Sequence, residues 1–396
     1  MPPNEFLIFG LTLLGVAIFY RKALPIAACG LAAVIAYEGF VTQFPTGAGL
    51  AGFVTHASHE WVLLANLLFL LTGFALVSRH FEESRIPAVL PRYLPDDWTG
   101  AFALLVIVFV MSGFLDNIAA ALIGGAMAHT LFRARVSVGY IAAIVAASNA
   151  GGAGSVIGDT TTTMMWISGV PPIEVAHAYV ASATALLVFG ISAARRQQRF
   201  APIIRDAAPS VRIDWVRVMV VAWVLASAVA VNVIVNLRFP DVADQFPFIG
   251  ATVAITLAMT IGIRRPDWQA LPGAFKGSLF LLCLVASASL MPVESLPHAS
   301  WQTALALGFV SAGFDNIPLT ALALKQGGYD WGMLAYAVGF GGSMLWFGSS
   351  AGVAICGTYP EARSTARWLR EGWLIPVGYV AGFALLLATL GWRPGS

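Results

Sequence analysis

The chain has 396 residues, 58% of them hydrophobic and only 11% charged, where an ordinary soluble domain is about a quarter charged. That composition excludes a soluble enzyme or a nucleic-acid-binding protein and points to an all-α polytopic membrane protein whose first partner is the lipid bilayer. The net charge of +2 says nothing about acidic partners, and Cys29, Cys283 and Cys356 lie too far apart for a metal or disulfide motif, so they read as packing residues.

Glu5 precedes the first apolar run where a signal peptide carries basic residues, and no small-residue cleavage site follows, so 6–20 reads as a retained first helix. Further apolar runs lie near 24–40, 61–78, 137–169, 173–194, 214–236, 247–263, 273–292, 331–358 and 371–391. Together they predict ten crossings of a hydrocarbon core about 30 Å thick. Two more stretches, 100–132 and 299–324, are interrupted by Asp116-Asn117 and Asp315-Asn316. Each arm of the first has about 15 residues, or about 22 Å of helix, too short to cross alone. Both stretches are therefore expected to be re-entrant hairpins.

Charge distribution tests this choice, because Lys and Arg concentrate in cytoplasmic loops. With two hairpins, one side collects Arg21, Lys22, Arg79, Arg85, Arg92, Arg133, Arg135, the six arginines between positions 195 and 217, Arg264, Arg265, Lys276, Arg363, Arg367 and Arg370. The other side keeps Arg238, Lys325 and Arg393, a split of 19 against 3. If each stretch crossed once, the split would be 13 against 9. The hairpin arrangement also puts both termini outside the cytoplasm, in a cell inner membrane.

An internal repeat is present. Ser112-Gly113-Phe114-Leu115-Asp116-Asn117-Ile118 is answered by Ser311-Ala312-Gly313-Phe314-Asp315-Asn316-Ile317, and Gly151-Gly152 with Gly158-Asp159-Thr160 by Gly341-Gly342 with Gly348-Ser349-Ser350. Two halves follow, 1–200 with hairpin 100–132 and broken helix 137–169, and 205–396 with hairpin 299–324 and broken helix 331–358. Five crossings per half is an odd number, so the second half is expected to be inverted. Inverted repeats with interrupted helices mark secondary transporters, whose sites lie where the breaks meet.

Three carboxylates, Asp116, Asp159 and Asp315, fall in the middle of apolar stretches. At roughly 2.5 to 3.5 kcal/mol for each Asp at a helix centre, they cost on the order of 10 kcal/mol. Capping of half-helix N-termini explains part of that presence, but Ser or Asn would cap without charge. Polar, glycine-rich backbone from Ser148 to Thr163 at membrane depth is tolerated only inside protein or beside a cavity, where carbonyls can hold a cation. His129 and His177 read as packing histidines, and no Walker loop, zinc set or nucleophile elbow is present. No Arg or Lys is expected in the pore region.

Phe114-Leu115-Asp116-Asn117-Ile118, Ser148-Asn149-Ala150-Gly151-Gly152-Ala153, Ile157-Gly158-Asp159-Thr160-Thr161-Thr162, Phe314-Asp315-Asn316-Ile317-Pro318 and Phe347-Gly348-Ser349-Ser350-Ala351-Gly352-Val353 together resemble the NhaD-type sodium/proton antiporters. These belong to the ion transporter superfamily, which also holds arsenite permeases and dicarboxylate carriers. Ala119-Ala120 stand where that family usually has Pro-Thr, and Val156 where it usually has proline. The resemblance implies a scaffold, commonly a homodimer, and a mobile part of hairpins and broken helices that moves like an elevator.

An acid shielded from water holds its proton more tightly than one in bulk, so such a carboxyl can trade a proton for Na⁺ or Li⁺. The expected first cluster is Asp116, Asn117, backbone oxygens near Gly151 and Gly152, Asp159 and Thr160, with Na⁺ at Asp116, Asn117 and Asp159. The second is Asp315, Asn316, Ser349 and Ser350. The transported ions are Na⁺ and H⁺, with no cofactor. Arsenite efflux or sodium-coupled anion transport is the alternative.

Overall fold

The computed structural model describes residues 3–19, 22–203, 212–239, 242 and 245–395. Arg21 and Arg205 of the charge count lie outside the described residues, as do Met1 and Ser396. Among the described residues the chain is helical, with one isolated β-bridge, Phe44 to Gly47.

The helices are α1 (Asn4–Ile18), α2 (Ala23–Phe40), α3 (Gly49–Glu83), α4 (Trp98–Ser112), α5 (Asn117–Leu131), α6 (Val138–Ala153), α7 (Thr160–Ile167) and α8 (Ala178–Phe200). They continue as α9 (Trp215–Arg238), α10 (Phe248–Thr260), α11 (Leu271–Ser289), α12 (Trp301–Ser311), α13 (Asn316–Gln326), α14 (Trp331–Gly341), α15 (Ser350–Thr358), α16 (Thr365–Glu371) and α17 (Leu374–Leu390). Five spans, α2, α3, α8, α9 and α11 with their short flanking turns, are long and apolar enough to cross a membrane alone, and α16 with α17 makes a sixth, bent by 57°. The expected ten are reached only by counting each broken helix as one span and including α1 and α10, which are apolar but have 15 and 13 residues.

The expected boundaries fail most at α3, which begins at Gly49 rather than 61. His56, Ser58, His59 and Glu60 lower the hydropathy of those first turns, yet the fold uses them: His56 Nε2 lies 3.0 Å from Ser289 Oγ on α11.

Both interrupted stretches fold back on themselves. In the first, a Cβ on Gly124 would lie 2.4 Å from Val108 Cγ2, so positions eight residues either side of Asp116 touch. Its two ends also reach α8, where Gln198 Nε2 donates to Asp96 O at 2.8 Å and Gln197 Oε1 accepts from Ser137 N at 2.8 Å. In the second, Gln326 Nε2 donates to Pro297 O at 2.8 Å.

α6 and α14 are the inner axis, buried along almost their whole length. They pack on each other and are surrounded by α4, α8, α12 and α17. Tyr336 of α14 stacks on Tyr379 of α17 with ring centroids 5.5 Å apart. A second group, α1, α2, α3, α9, α10 and α11, packs alongside. The groups meet mainly where α13 lies on α11 and where α5 and α7 lie on α3.

Several arginines are held by contacts between the ends of neighbouring helices. Arg79 pairs with Asp267, Arg217 with Glu83, Arg264 with Asp214, and Arg196 Nη1 donates to Glu371 O. Lys325 meets the end of α11, and Arg393 N donates to Asp330 Oδ2 at 3.0 Å.

Paired glycines hold each broken helix against its hairpin in the same way. A Cβ on Gly151 would lie 2.0 Å from Phe109 O, and one on Gly341 would lie 2.2 Å from Gly308 O. A Cβ on Gly152 would lie 2.8 Å from Gly158 O, and one on Gly342 would lie 2.6 Å from Gly348 O. These are backbone neighbours that cannot swing aside. Gly151→Ala and Gly341→Ala should each lose about 1 to 3 kcal/mol of stability, read as earlier thermal unfolding in detergent. Gly357→Ala, with open space around it, should not. Cysteines replacing Arg199 and Arg367 should react with an impermeant maleimide from one side of the membrane, and one replacing Pro172 from the other. Reaction of positions 199 and 172 from the same side would overturn the topology.

Candidate ion site

A helix that stops inside an apolar body leaves its first N–H groups without partners. Four such starts, α5, α7, α13 and α15, follow Asp116, Asp159, Asp315 and Ser349. Asp159 Oδ1 accepts from Thr161 N at 3.4 Å, Asp315 Oδ1 from Ile317 N at 3.2 Å, and Ser349 Oγ from Gly352 N at 3.2 Å. The Asp116 side chain makes no capping bond.

The breaks are tied to one another. Asn316 Nδ2, from the second hairpin, donates to Asp159 Oδ2 at 3.2 Å. Asn117 Nδ2, from the first, donates to Asn149 Oδ1 at 3.2 Å. Asn149 Nδ2 donates onward to Ser343 Oγ at 3.0 Å and Ser349 Oγ at 3.1 Å. Ser350 Oγ donates to Asp315 Oδ2 at 3.1 Å. Asp159, Asn117, Asn149, Asn316 and Ser349 are buried, whereas Asp116, Asp315, Thr160 and Ser350 are partly accessible.

Two cavities reach these groups. Asp116, Asp159, Thr160 and Thr163 line one of about 370 Å³, whose opposite wall is α3 and α11. Asp315, Ser349 and Ser350 line another of about 250 Å³, with Trp346 and Phe347. The sequence-predicted first cluster is brought together at Asp116, Asp159 and Thr160, and the second at Asp315, Ser349 and Ser350, while Asn117 and Asn316 bridge inward to the broken helices. Gly151 and Gly152 lie in the last turn of α6, where close helix contact explains their lack of a side chain; the Gly152 carbonyl accepts from Ser155 N at 3.1 Å.

Three participants escape sequence reasoning. Asn149 is the central bridge, and its only signal is an amide in an otherwise small and apolar run. Ser343 has none, since its repeat counterpart is Ala153. Arg79 lines the first cavity, against the expectation that no Arg or Lys would be found there. It is a loop-side residue in sequence, but α3 extends far enough to carry it over the mouth, where Glu82 and Asp267, the latter at 3.2 Å, hold its guanidinium. Two carboxylates on one arginine leave the mouth net acidic.

The chemistry on offer is a carboxylate pair in a cavity, with hydroxyl and amide oxygens beside it and water excluded on one side. Hard, weakly polarising cations take such all-oxygen sites. No family model matches the chain. Known proteins similar to it include Sodium/proton antiporter 1 of Arabidopsis thaliana, 28% identical over 355 residues, 80% of this chain and 58% of that protein. The Na(+)/H(+) antiporter NhaD of Vibrio parahaemolyticus is 26% identical over 372 residues, 81% of this chain and 89% of that one. Sodium/proton antiporter 2 of Arabidopsis thaliana is 27% identical over 320 residues, 71% and 72% of the two chains. These relatives are sodium/proton antiporters by name. The chain spans just under three fifths of the length of the first.

The capping pattern separates structural from chemical roles. Ser349→Ala removes a cap and a partner of Asn149 and should lower stability by about 0.5 to 2 kcal/mol. Asp116→Asn loses no capping bond and should unfold within a degree or two of the parent, as thermal unfolding of the two purified variants would show.

Proposed function

We propose that the chain is a secondary transporter, not an enzyme, that exchanges Na⁺ for H⁺ across a membrane, with Li⁺ as a further substrate. The observation that carries this reading is the placement of Asp159. It ends the break of one broken helix, takes a hydrogen bond from the hairpin of the other half, and shares a cavity with Asp116. The antiporter names of the relatives support it. A cation held by Asp116, Asn117, Asp159 and Thr160, with carbonyls of the last turn of α6, favours the ionised carboxylates, and a proton removes the ligand charge. The two ions then compete for one site, and competition with alternating access is exchange.

The two halves are read as inverted repeats, the matched glycine contacts of α6 and α14 being their support. The group containing both hairpins and both broken helices is read as the moving body, sliding against α3 and α11 as an elevator. The basic end is assigned to the cytoplasm by the positive-inside rule, which places both termini outside. An arsenite carrier of the same superfamily has less use for a carboxylate pair, and an anion would meet repulsion there.

Purified protein in liposomes should acidify or alkalinise the lumen when Na⁺ is added, with Li⁺ following; a response to arsenite and none to Na⁺ would reverse the assignment. Apparent Na⁺ affinity should weaken as pH falls, because protons occupy the ligand, by up to about tenfold per unit for each proton that must leave. An affinity flat between about pH 6 and 9 would contradict the competition. Asp159→Asn should abolish or strongly impair Na⁺-driven proton movement, since Asn still caps but carries no charge. Ser349→Ala should leave exchange measurable with altered affinity.

A further inference from the structure

Lys325 is one of the three basic residues that the sequence count sets apart from the other nineteen, and nothing in the exchange site uses it. It lies in the last turn of α13, the inner arm of the second hairpin. Its Nζ donates to the carbonyl oxygens of Ser289 and Met291, both at 2.6 Å. These carbonyls close the C-terminal end of α11, where a helix leaves acceptors unpaired and its dipole favours a cation. Three carboxylates from other elements act on the same ammonium: Glu294 from the turn after α11, Glu38 from α2 and Glu60 from α3. Glu38 is 2% exposed, and its Oε2 has no hydrogen-bond partner. His56, bonded to Ser289 Oγ, completes the surroundings. The acids therefore sit on α2, α3 and the end of α11, and the cation that balances them sits on the hairpin.

The chain leaves α13 through Gly327 at φ 70° and Gly328 at φ 75°, a left-handed pair that glycine adopts without strain. The first hairpin makes its equivalent exit through Arg133 at φ 46° and Ala134 at φ 64°, which are costlier there. The second hairpin thus has an unstrained hinge next to its lysine. Meanwhile the Asp116–Asp159 cavity extends to Arg79 and Glu82 at the basic end, the pole opposite Lys325.

From this placement we infer that Lys325 is a latch, a positioning residue that clamps the second hairpin onto the end of α11 and holds the pole opposite the cavity mouth closed. The inference rests on the alternating-access reading above. Release of the hairpin costs two charge-assisted hydrogen bonds and takes the ammonium away from the neighbouring acids, so the closed pole is favoured until the hairpin moves with its lysine.

The test uses the full chain in membranes, with the native cysteines replaced by alanine and Leu122→Cys as a reporter inside the cavity. In the parent, impermeant maleimide should reach position 122 from the basic end. Lys325→Met keeps the stem and removes the charge, and should raise labelling from the opposite pole by about threefold or more; Lys325→Arg should restore the parent pattern. Unchanged labelling in a Lys325→Met variant of normal thermal stability would overturn the latch. If that variant does not fold, Glu38→Gln carries the test: it should shift labelling in the same direction, and no shift refutes the inference. Labelling does not depend on which ion is carried, so failure of Na⁺–proton exchange in liposomes and failure of the latch are separate results.

Discussion

Everything in this molecule depends on how it satisfies the backbone groups freed where helices stop inside an apolar body. An unmet buried donor costs about 1 to 3 kcal/mol, and lipid offers no water to relieve it. Three of the four breaks are met by the side chain of the residue before the helix, Asp159, Asp315 or Ser349. Asp116 occupies the same position, with the backbone angles of Asp315 (φ −55° and ψ 139° against φ −56° and ψ 141°), but without a side-chain cap. Its carboxylate lines the cavity, with the backbone N–H groups of Asn117, Ile118 and Ala119 beside it. Asp159 divides its two oxygens between a cap and Asn316. Asp315 likewise divides its oxygens between a cap and Ser350, and Asp116 and Asp315 are both partly accessible where Asp159 is buried.

Bringing four breaks together requires backbones to approach more closely than side chains allow, and the glycines supply that freedom. Gly151 against Phe109 O and Gly341 against Gly308 O fix each broken helix to its own hairpin, so hairpin and broken helix form one packed body. The contacts of this body with α3 and α11 run through fewer elements: α13, α7 and α5. A body joined tightly within itself and lightly to its neighbours can slide without repacking its own site. On the elevator reading proposed above, such a body is what a moving carrier requires, and the clasp inferred for Lys325 lies where the light interface ends.

The hairpins and broken helices were legible because charge and glycine are rare in an apolar chain. The tips at Asp116-Asn117 and Asp315-Asn316 fall where expected, and α4–α5 and α12–α13 lie within two or three residues of the stretches read at 100–132 and 299–324. What hydropathy missed were features made by packing rather than composition. The first turns of α3 carry two histidines and a glutamate, of which His56 is held by Ser289 on α11 and His59 by Thr55 O of its own helix. Arg79 looked like a topology signal and became part of the cavity mouth because α3 runs 35 residues. The 57° bend between α16 and α17 sits at Gly372-Trp373, directly after Arg370-Glu371, where the expected last span begins. Asn149 could be seen as polar, but only its distances to Asn117, Ser343 and Ser349 reveal it as a bridge.

The divergence between the two halves is complementary rather than random. Aligning Gly151-Gly152 with Gly341-Gly342 pairs Asn149 with Gly339 and Asp159 with Ser349. In space, position 149 meets position 349, and position 339 meets position 159: Asn149 Nδ2 is 3.1 Å from Ser349 Oγ, and a Cβ on Gly339 would lie 3.2 Å from Asp159 Oδ2. Where the broken helix supplies the longer acid, the facing position has no side chain, and Asn316 reaches the carboxylate directly. Where it supplies the shorter serine, Asn149 fills the gap and relays the connection to Asn117. Polarity and volume are thus conserved across each crossing while charge is not. Both central crossings stay hydrogen-bonded, which keeps the breaks registered, and the second carboxylate is confined to one of them. On the inverted-repeat reading proposed above, a symmetric scaffold in this way acquires a chemically asymmetric centre, with the Asp116–Asp159 pair on one side and Asp315 with two serines on the other.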